Sequence, residues 1–339
     1  MSRQIRNVME PNADHTDDKG RHASDLAGLR MKIEAAVRPH IAGPSYALLD
    51  FPDYFNPGDC AIWLGERRVL SRLAESAPSL IASIHSYNRH TLKALPGAAP
   101  VFLQGGGNFG DLWPHHQLFR ERLFADAADR RVVVLTQSIM FRSAQALERA
   151  RRAIGSHPRL TLLVRDLDSF NFARSHFDCA SELCPDFALA LDLRRPQGWD
   201  PNSVFFLLRG DQESAGIGNR LDLGHWRCAD WPKPYFLSRS WIHRFAFLPQ
   251  RVQLRIGDFL SRWRLMKGIS VFAGAGAVIT DRLHGHVLCT LMGIPNVLLP
   301  DAHGKNRGLY ETWTRHLPGC GFAETPTQAL AELDGLIRA

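Results

Sequence analysis

The segment Ala277-Val-Ile-Thr-Asp-Arg-Leu-His-Gly-His-Val-Leu-Cys-Thr-Leu-Met-Gly-Ile-Pro295 places Asp281, Arg282 and His284 directly after an apolar run. Ala277–Thr280 reads as a buried strand and Gly285 to Met292 as a helix, so these side chains fall where the chain leaves a sheet. A helix start at that point offers unpaired backbone N–H groups and the positive end of a dipole. An arginine and a histidine beside it make a site for an anion that also needs a proton donor. The plainer alternative is an Arg282–Asp281 surface pair with a helix-capping histidine. Burying such groups at a crossover is costly without a task for them, and the anion site is the favoured reading.

Other charged residues close strands in the same sense. Arg165 follows Leu160–Val164, Arg209 and Asp211 follow Val204–Leu208, and Asp186 precedes a further apolar run. Lys305 follows Asn296–Leu299 and reads equally well as a ligand-facing cation or a solvated one. In open α/β sheets a ligand sits outside the carboxyl ends of the strands. Several arginines, one histidine and two or three aspartates converging there would suit a small polyanion and a hydroxyl-bearing partner.

Gly105-Gly-Gly-Asn-Phe-Gly110 has the glycine spacing of a dinucleotide loop, between a strand and a helix. The following strand ends Leu135-Thr-Gln-Ser138, without the carboxylate that would hold a ribose. What remains is a ligand-facing loop offering Gly106, Gly107 and Asn108, with Asp111 beside it. Asp166-Leu-Asp168 resembles a short metal motif, but Asp168 as a helix cap is the better reading. His115-His116 and His284-Gly-His286 lack a complete zinc signature, so no metal is expected.

The elements that must position these residues alternate between strand and helix. Val101–Gln104, Val132–Thr136, Leu160–Arg165, Val204–Leu208, Ala277–Thr280 and Asn296–Leu299 read as strands. Helices are expected over Ser143–Ile154, from Asp168, over Arg251–Phe272, and from Gln328 to the end. This rhythm predicts an α/β fold of two Rossmann-like, doubly wound domains with parallel sheets. The expected division is a flexible arm over 1–25, a first domain over 26–195 and a second over 202–339. The break is Arg194-Arg-Pro-Gln-Gly-Trp-Asp-Pro201. A stretch from about Arg220 to Arg251, rich in Trp and Pro, fits no pattern and is a candidate acceptor pocket.

Of 339 residues, 45% are hydrophobic and 22% charged, which excludes a mostly disordered chain. Forty-one basic against 34 acidic residues give a net +7, which favours anionic partners. No continuous basic stripe interleaved with aromatics points to nucleic acid. Six scattered cysteines without a Cys-x-x-Cys pair suit a reducing compartment. With no apolar leader and no long apolar run, a cytoplasmic location is expected.

The strand-Asp-Arg-Leu-His-Gly-His segment, Gly293-Ile-Pro295, Gly304-Lys-Asn306, Gly58-Asp59 and the Gly105–Asp111 loop together resemble the polysaccharide pyruvyl transferase family. The likeness spans roughly residues 55–315 and is most specific at Arg-Leu-His. It implies a fold like the GT-B glycosyltransferases. It also implies transfer of pyruvate from phosphoenolpyruvate onto two hydroxyls of a sugar as a cyclic ketal. Arg282 and His284 match residues associated with activity in that family, and Arg165, Asp186 and Asp59 match further positions. The implied roles are an anion clamp of Arg282 and Arg165, with His284 as acid or phosphate contact. Asp186 or Asp59 would accept the hydroxyl proton. No metal or organic cofactor is needed on this scheme. The partners are phosphoenolpyruvate and a sugar or lipid-linked oligosaccharide, the latter drawing the protein to the inner face of the membrane. The alternative is a GT-B-like glycosyltransferase using a nucleotide sugar, which the missing ribose carboxylate disfavours.

Overall fold

In a computed structural model, which describes residues 15–211, 213–216, 226–232 and 242–338, the apolar runs form two parallel sheets. The first contains β1 (Ala47–Leu49), β2 (Leu80–Ala82), β3 (Val101–Leu103), β4 (Gly106–Gly110), β5 (Val132–Met140), β6 (Leu160–Val164) and β7 (Ala180–Leu183). Its order is β2-β1-β3-β5-β6-β7, with β4 also paired to β5. The second contains β8 (Val204–Leu207), β9 (Arg227–Ala229), β10 (Ala277–Thr280), β11 (Asn296–Leu298) and β12 (Cys320–Phe322), in the order β12-β11-β10-β8-β9. In each sheet the first strand lies between the second and the third. The strand order therefore reverses beside it, at β1/β3 and at β8/β10, where open α/β sheets place their ligands outside the carboxyl ends of the strands.

Helix α1 (His15–Val37) precedes the first strand, and crossovers are made by α2 (Pro57–Leu73), α3 (Arg89–Lys93), α4 (Pro114–Asp126), α5 (Ala144–Gly155) and α6 (Leu167–His176). Later in the chain come α7 (Gln250–Ile269), α8 (Leu283–Leu291), α9 (Lys305–Leu309) and α10 (Pro326–Arg338). The start of α2 is written locally. Asn56 caps it by accepting from the Gly58 and Asp59 N–H groups, and Pro57 occupies the first turn. Gly65 then lets α2 lie against the Phe187 carbonyl, where a Cβ would collide.

Two clusters of buried side chains hold the sheets. One gathers Leu49, Leu103, Phe109, Leu123, Val134 and Leu162, and the other Phe206, Ile279, Val297, Leu299 and Leu333. Full burial of each such side chain is worth about 1.5–3 kcal/mol. The chain divides into two compact units: Arg30–Leu191 with Lys233–Arg264, and Asp192–Pro232 with Leu265–Ala339 and Met1–Leu29. The sequence suggests a single division near 195–201. The contacts instead part at Leu191/Asp192 and assign an early and a late segment across that line.

Three local expectations are corrected. The glycine segment is an edge strand, β4, because Gly106 and Gly110 adopt φ of 136° and 129° and Gly110 meets the Met140 carbonyl too closely for a Cβ. Helix α6 is capped by Asp166, which accepts from Ser169 N–H at 2.7 Å, and Asp168 lies in the first turn. Residues 15–25 of the expected arm belong to α1. Its residues 1–14 lie outside the described residues, as do 220–225 and 233–241 of the Trp- and Pro-rich stretch.

Candidate functional site

In the second sheet, Asp281 and Arg282 follow β10 and Arg209 follows β8, on the two sides of the reversal. Arg282 is the N-cap residue of α8, and its own N–H donates to Thr280 Oγ1 at 3.0 Å. Gly285, one turn on, is required by close packing. A Cβ there would stand 2.7 Å from Thr280 Oγ1 and 2.8 Å from Leu207 Cδ2. The Arg-Leu-His-Gly order thus brings a helix N-terminus onto the strand ends, with His284 in its first turn.

The arginines sit in a chain of ion pairs. Arg282 grips Asp230 through Nε and Nη2 at 2.8 and 2.7 Å, and its Nη1 lies 3.0 Å from Asp211. Arg209 reaches Asp211 at 2.8 Å and Glu213 at 2.5 Å, and Lys305 Nζ donates to Glu213 at 2.7 Å. Gly304 takes a φ of 78° before α9, and Asn306 ties that turn to the Asp281 and Leu299 carbonyls, which fixes Lys305 in place. Burial opposes charge on Arg209, but Glu213 and Asp211 outweigh it and hold its pKa above the ordinary value. Burial likewise opposes charge on Asp211, and Arg209 and Arg282 hold its pKa below the usual range.

Asp281 behaves differently. Burial pushes its carboxyl up to about 7, although Oδ1 accepts the Arg209 N–H at 2.8 Å. Its Oδ2 has no hydrogen-bond partner among the described residues. His286 belongs to the core: Nδ1 meets Asn296 Oδ1 at 2.5 Å and Nε2 meets Thr314 Oγ1 at 2.7 Å. Burial lowers its pKa to about 4, so it is a neutral structural histidine.

The reversal of the first sheet carries a second cluster. Asp50 follows β1 in the left-handed region, with a φ of 68°. Its oxygens meet His116 Nδ1 at 2.8 Å and Arg120 Nη2 at 3.3 Å. Arg120 also donates to the carbonyl and side-chain oxygens of Asn108. Tyr54 Oη and Asn56 Nδ2 each donate to Asp59 Oδ2 at 2.8 Å, and the Tyr54 and His116 rings meet edge to face. A Cβ on Gly106 would lie 3.7 Å from Asp59 Oδ1.

Arg165 and Asp186 stand at the ends of β6 and β7, both buried, and pair at 2.8 Å. Arg165 Nε donates to Ser138 Oγ at 2.9 Å, and Ser138 donates to Asp166 at 2.6 Å. Asp186 also accepts the Ala188 N–H, which suits it to holding Arg165 in position.

The structure therefore joins Arg282, Arg209 and Lys305 through shared carboxylates in one unit. In the other it gathers Asp59, Gly106 and Asn108 around Asp50, Tyr54, His116 and Arg120, and pairs Arg165 with Asp186. Sequence reasoning missed Asp50, although Tyr46–Leu49 is an apolar run ending in an acid, the same signal that marked Arg165. Asp230 carried no such signal, since only folding brings it to Arg282, and neither did the contact of Glu213 with Lys305. Among the described residues no three His, Cys, Asp or Glu side chains are grouped to hold a metal ion. No described helix is long and apolar enough to cross a membrane.

Residues 56–303 match the polysaccharide pyruvyl transferase family. Pyruvyl transferase 1 of Schizosaccharomyces pombe is 32% identical over 81% of this chain and 70% of its own length. A candidate pyruvyl transferase of Bacillus subtilis, EpsO, is 28% identical over 79% of this chain and 85% of its own. A crystal structure of a functionally uncharacterised Klebsiella pneumoniae protein shares the fold, with a TM-score of 0.57 at 16% identity, over 88% of this chain and 99% of that one. With most of its length matched, and with the Arg282–Gly285 turn seated on the reversal of a parallel sheet, the chain belongs to the polysaccharide pyruvyl transferase family.

Proposed function

We propose that this protein transfers the pyruvyl group of phosphoenolpyruvate to a sugar of an exopolysaccharide or cell-surface glycan precursor, forming a cyclic ketal. The reading includes a GT-B-like pairing of two Rossmann-like domains and action at the cytoplasmic side of a membrane on a sugar or lipid-linked acceptor. The observation that carries it is the cluster of Arg282, Arg209 and Lys305 at the β8/β10 reversal, beside the first turn of α8. Phosphoenolpyruvate carries a carboxylate and a phosphate, which suit guanidinium forks and a helix N-terminus. Its anions compete with Asp211, Asp230 and Glu213 for these cations.

On this scheme a sugar hydroxyl adds to the second carbon of phosphoenolpyruvate while the methylene carbon takes a proton and becomes a methyl group. His284 is the proposed acid, and a carboxylate accepts the hydroxyl proton. Phosphate then leaves, the second hydroxyl attacks the same carbon and loses its proton, and the ketal closes. Asp59 fits the base role better than Asp186, because Asp186 is fully buried and ion-paired with Arg165, whereas Asp59 is half-buried and accepts from the uncharged Tyr54 and Asn56 side chains. Arg165 is the proposed further anion contact, with Gly106, Gly107 and Asn108 lining the approach.

The test is turnover of phosphoenolpyruvate with candidate sugar acceptors in D2O, followed by mass spectrometry and NMR. The scheme requires equal release of inorganic phosphate, a pyruvyl ketal on the acceptor, and one deuterium in its methyl group. His284→Ala should lower turnover at least about a hundredfold. Wild-type turnover in that variant would remove the acid role. Transfer from a nucleotide sugar with no response to phosphoenolpyruvate would replace the reading altogether.

A further inference from the structure

Helix α7 carries an outward face with an unusual composition for a surface helix. Val252, Arg255, Phe259 and Arg262 follow one another at spacings of three, four and three residues, which puts them on one stripe. Phe259 is 66% exposed and Val252 38% exposed, and Phe247, just before the helix, is 81% exposed. Arg251, Arg255 and Arg262 are also exposed, and none of them forms an ion pair among the described residues. The acid of this helix, Asp258, is turned inward, where it accepts from Trp63 Nε1 and from Arg67.

An exposed phenylalanine is individually ordinary. Apolar side chains alternating with unpaired arginines, and with no acid on the face, are not. Water favours the arginines and disfavours the phenylalanines, whereas the headgroup layer of an anionic bilayer favours both. We infer that the Phe247–Arg262 face seats this protein on an anionic membrane surface, the arginines on lipid phosphates and Phe247, Val252 and Phe259 at the acyl boundary. The inference rests on the lipid-linked acceptor of the proposed function, since it gives the place where such an acceptor is met.

The test is sedimentation of the full chain with vesicles of phosphatidylcholine alone or mixed with phosphatidylglycerol, with no donor or acceptor present. Failure here is thus distinct from failure of phosphoenolpyruvate to bind or turn over. The wild type should bind the mixed vesicles, and should bind them more weakly at high salt and without the anionic lipid. Each arginine near such a surface is worth about fivefold, so Arg255→Glu with Arg262→Glu should reduce binding at least about thirtyfold. Phe247→Ser with Phe259→Ser should reduce it at least about tenfold. Both variants should keep the wild-type circular dichroism, the residues being exposed. Absence of vesicle binding by the wild type, or equal binding by the variants, would overturn the inference. So would a wild-type dimer that the same substitutions dissociate, or salt-sensitive binding to duplex DNA in place of vesicles.

Discussion

The pairs β1/β3 and β8/β10 occupy the same place in the strand orders of their sheets, yet the residues that follow them differ in charge and in surroundings. After β8 and β10 come Arg209 and Arg282, joined by Lys305, and their carboxylate partners include the partly exposed Asp211. After β1 comes Asp50, buried and bound to His116 and to a fully buried Arg120. Partly exposed cations at the strand ends can trade their internal carboxylates for those of an anion. A carboxylate that orients an imidazole, next to the Tyr54–Asp59 pair, suits a neutral hydroxyl whose proton must be handled. One topology thus carries two clusters of different charge, because the fold fixes where strand ends lie and leaves the residues after them free to differ.

The largest stability effect that would sharpen this contrast lies in the first sheet. Arg165→Ala leaves Asp186 charged, buried and without its cation, and should lower the unfolding free energy by about 3–5 kcal/mol in urea titration. A loss below about 1 kcal/mol would mean that this pair is not the rigid support described. Gly285→Ala comes next. The added methyl must displace Thr280 Oγ1 or Leu207, and overpacking of this kind costs about 1–3 kcal/mol. Because Thr280 also accepts the Arg282 N–H, donor affinity should fall with stability.

Asp281 sharpens the comparison through pH. Its carboxyl titrates near 7 in the folded chain and near 3.9 when unfolded, so between those values the folded state holds a proton that the unfolded state has released. Its contribution to stability is fully present below about pH 4 and is lost as pH rises through about 7. Asp281→Asn keeps the neutral form and should remove that decline, which urea midpoints across the window would show. Tyr54→Phe deletes one hydrogen bond to the Asp59 carboxylate and should cost about 1.5–3 kcal/mol in urea titration.

Much of this was legible in the residues and some was not. Ala277–Thr280 is a strand with the bounds its apolar run suggests, and α7 starts one residue from the expected Arg251, because burial patterns are local. The positions of Arg165, Arg209 and Arg282 at strand ends were legible because each follows an apolar run. The glycine segment misled: its spacing describes a loop, whereas the positive φ values of Gly106 and Gly110 serve a strand packed tightly on β5. The Arg282–Asp230, Lys305–Glu213 and Arg120–Asp50 contacts could not be read, since these partners lie 52, 92 and 70 residues apart. The capping role moved from Asp168 to Asp166 for a local reason: Asp166, in extended backbone, aims its carboxylate at the Ser169 N–H.

The central claim is that the β8/β10 reversal holds phosphoenolpyruvate through Arg282. It is tested most directly by calorimetric titration of the wild type and Arg282→Ala with phosphoenolpyruvate, and with a UDP-sugar as control. The account predicts binding by the wild type, a loss on the order of a hundredfold or more in the variant, and no comparable response to the UDP-sugar. Equal phosphoenolpyruvate affinity in the two proteins would contradict it.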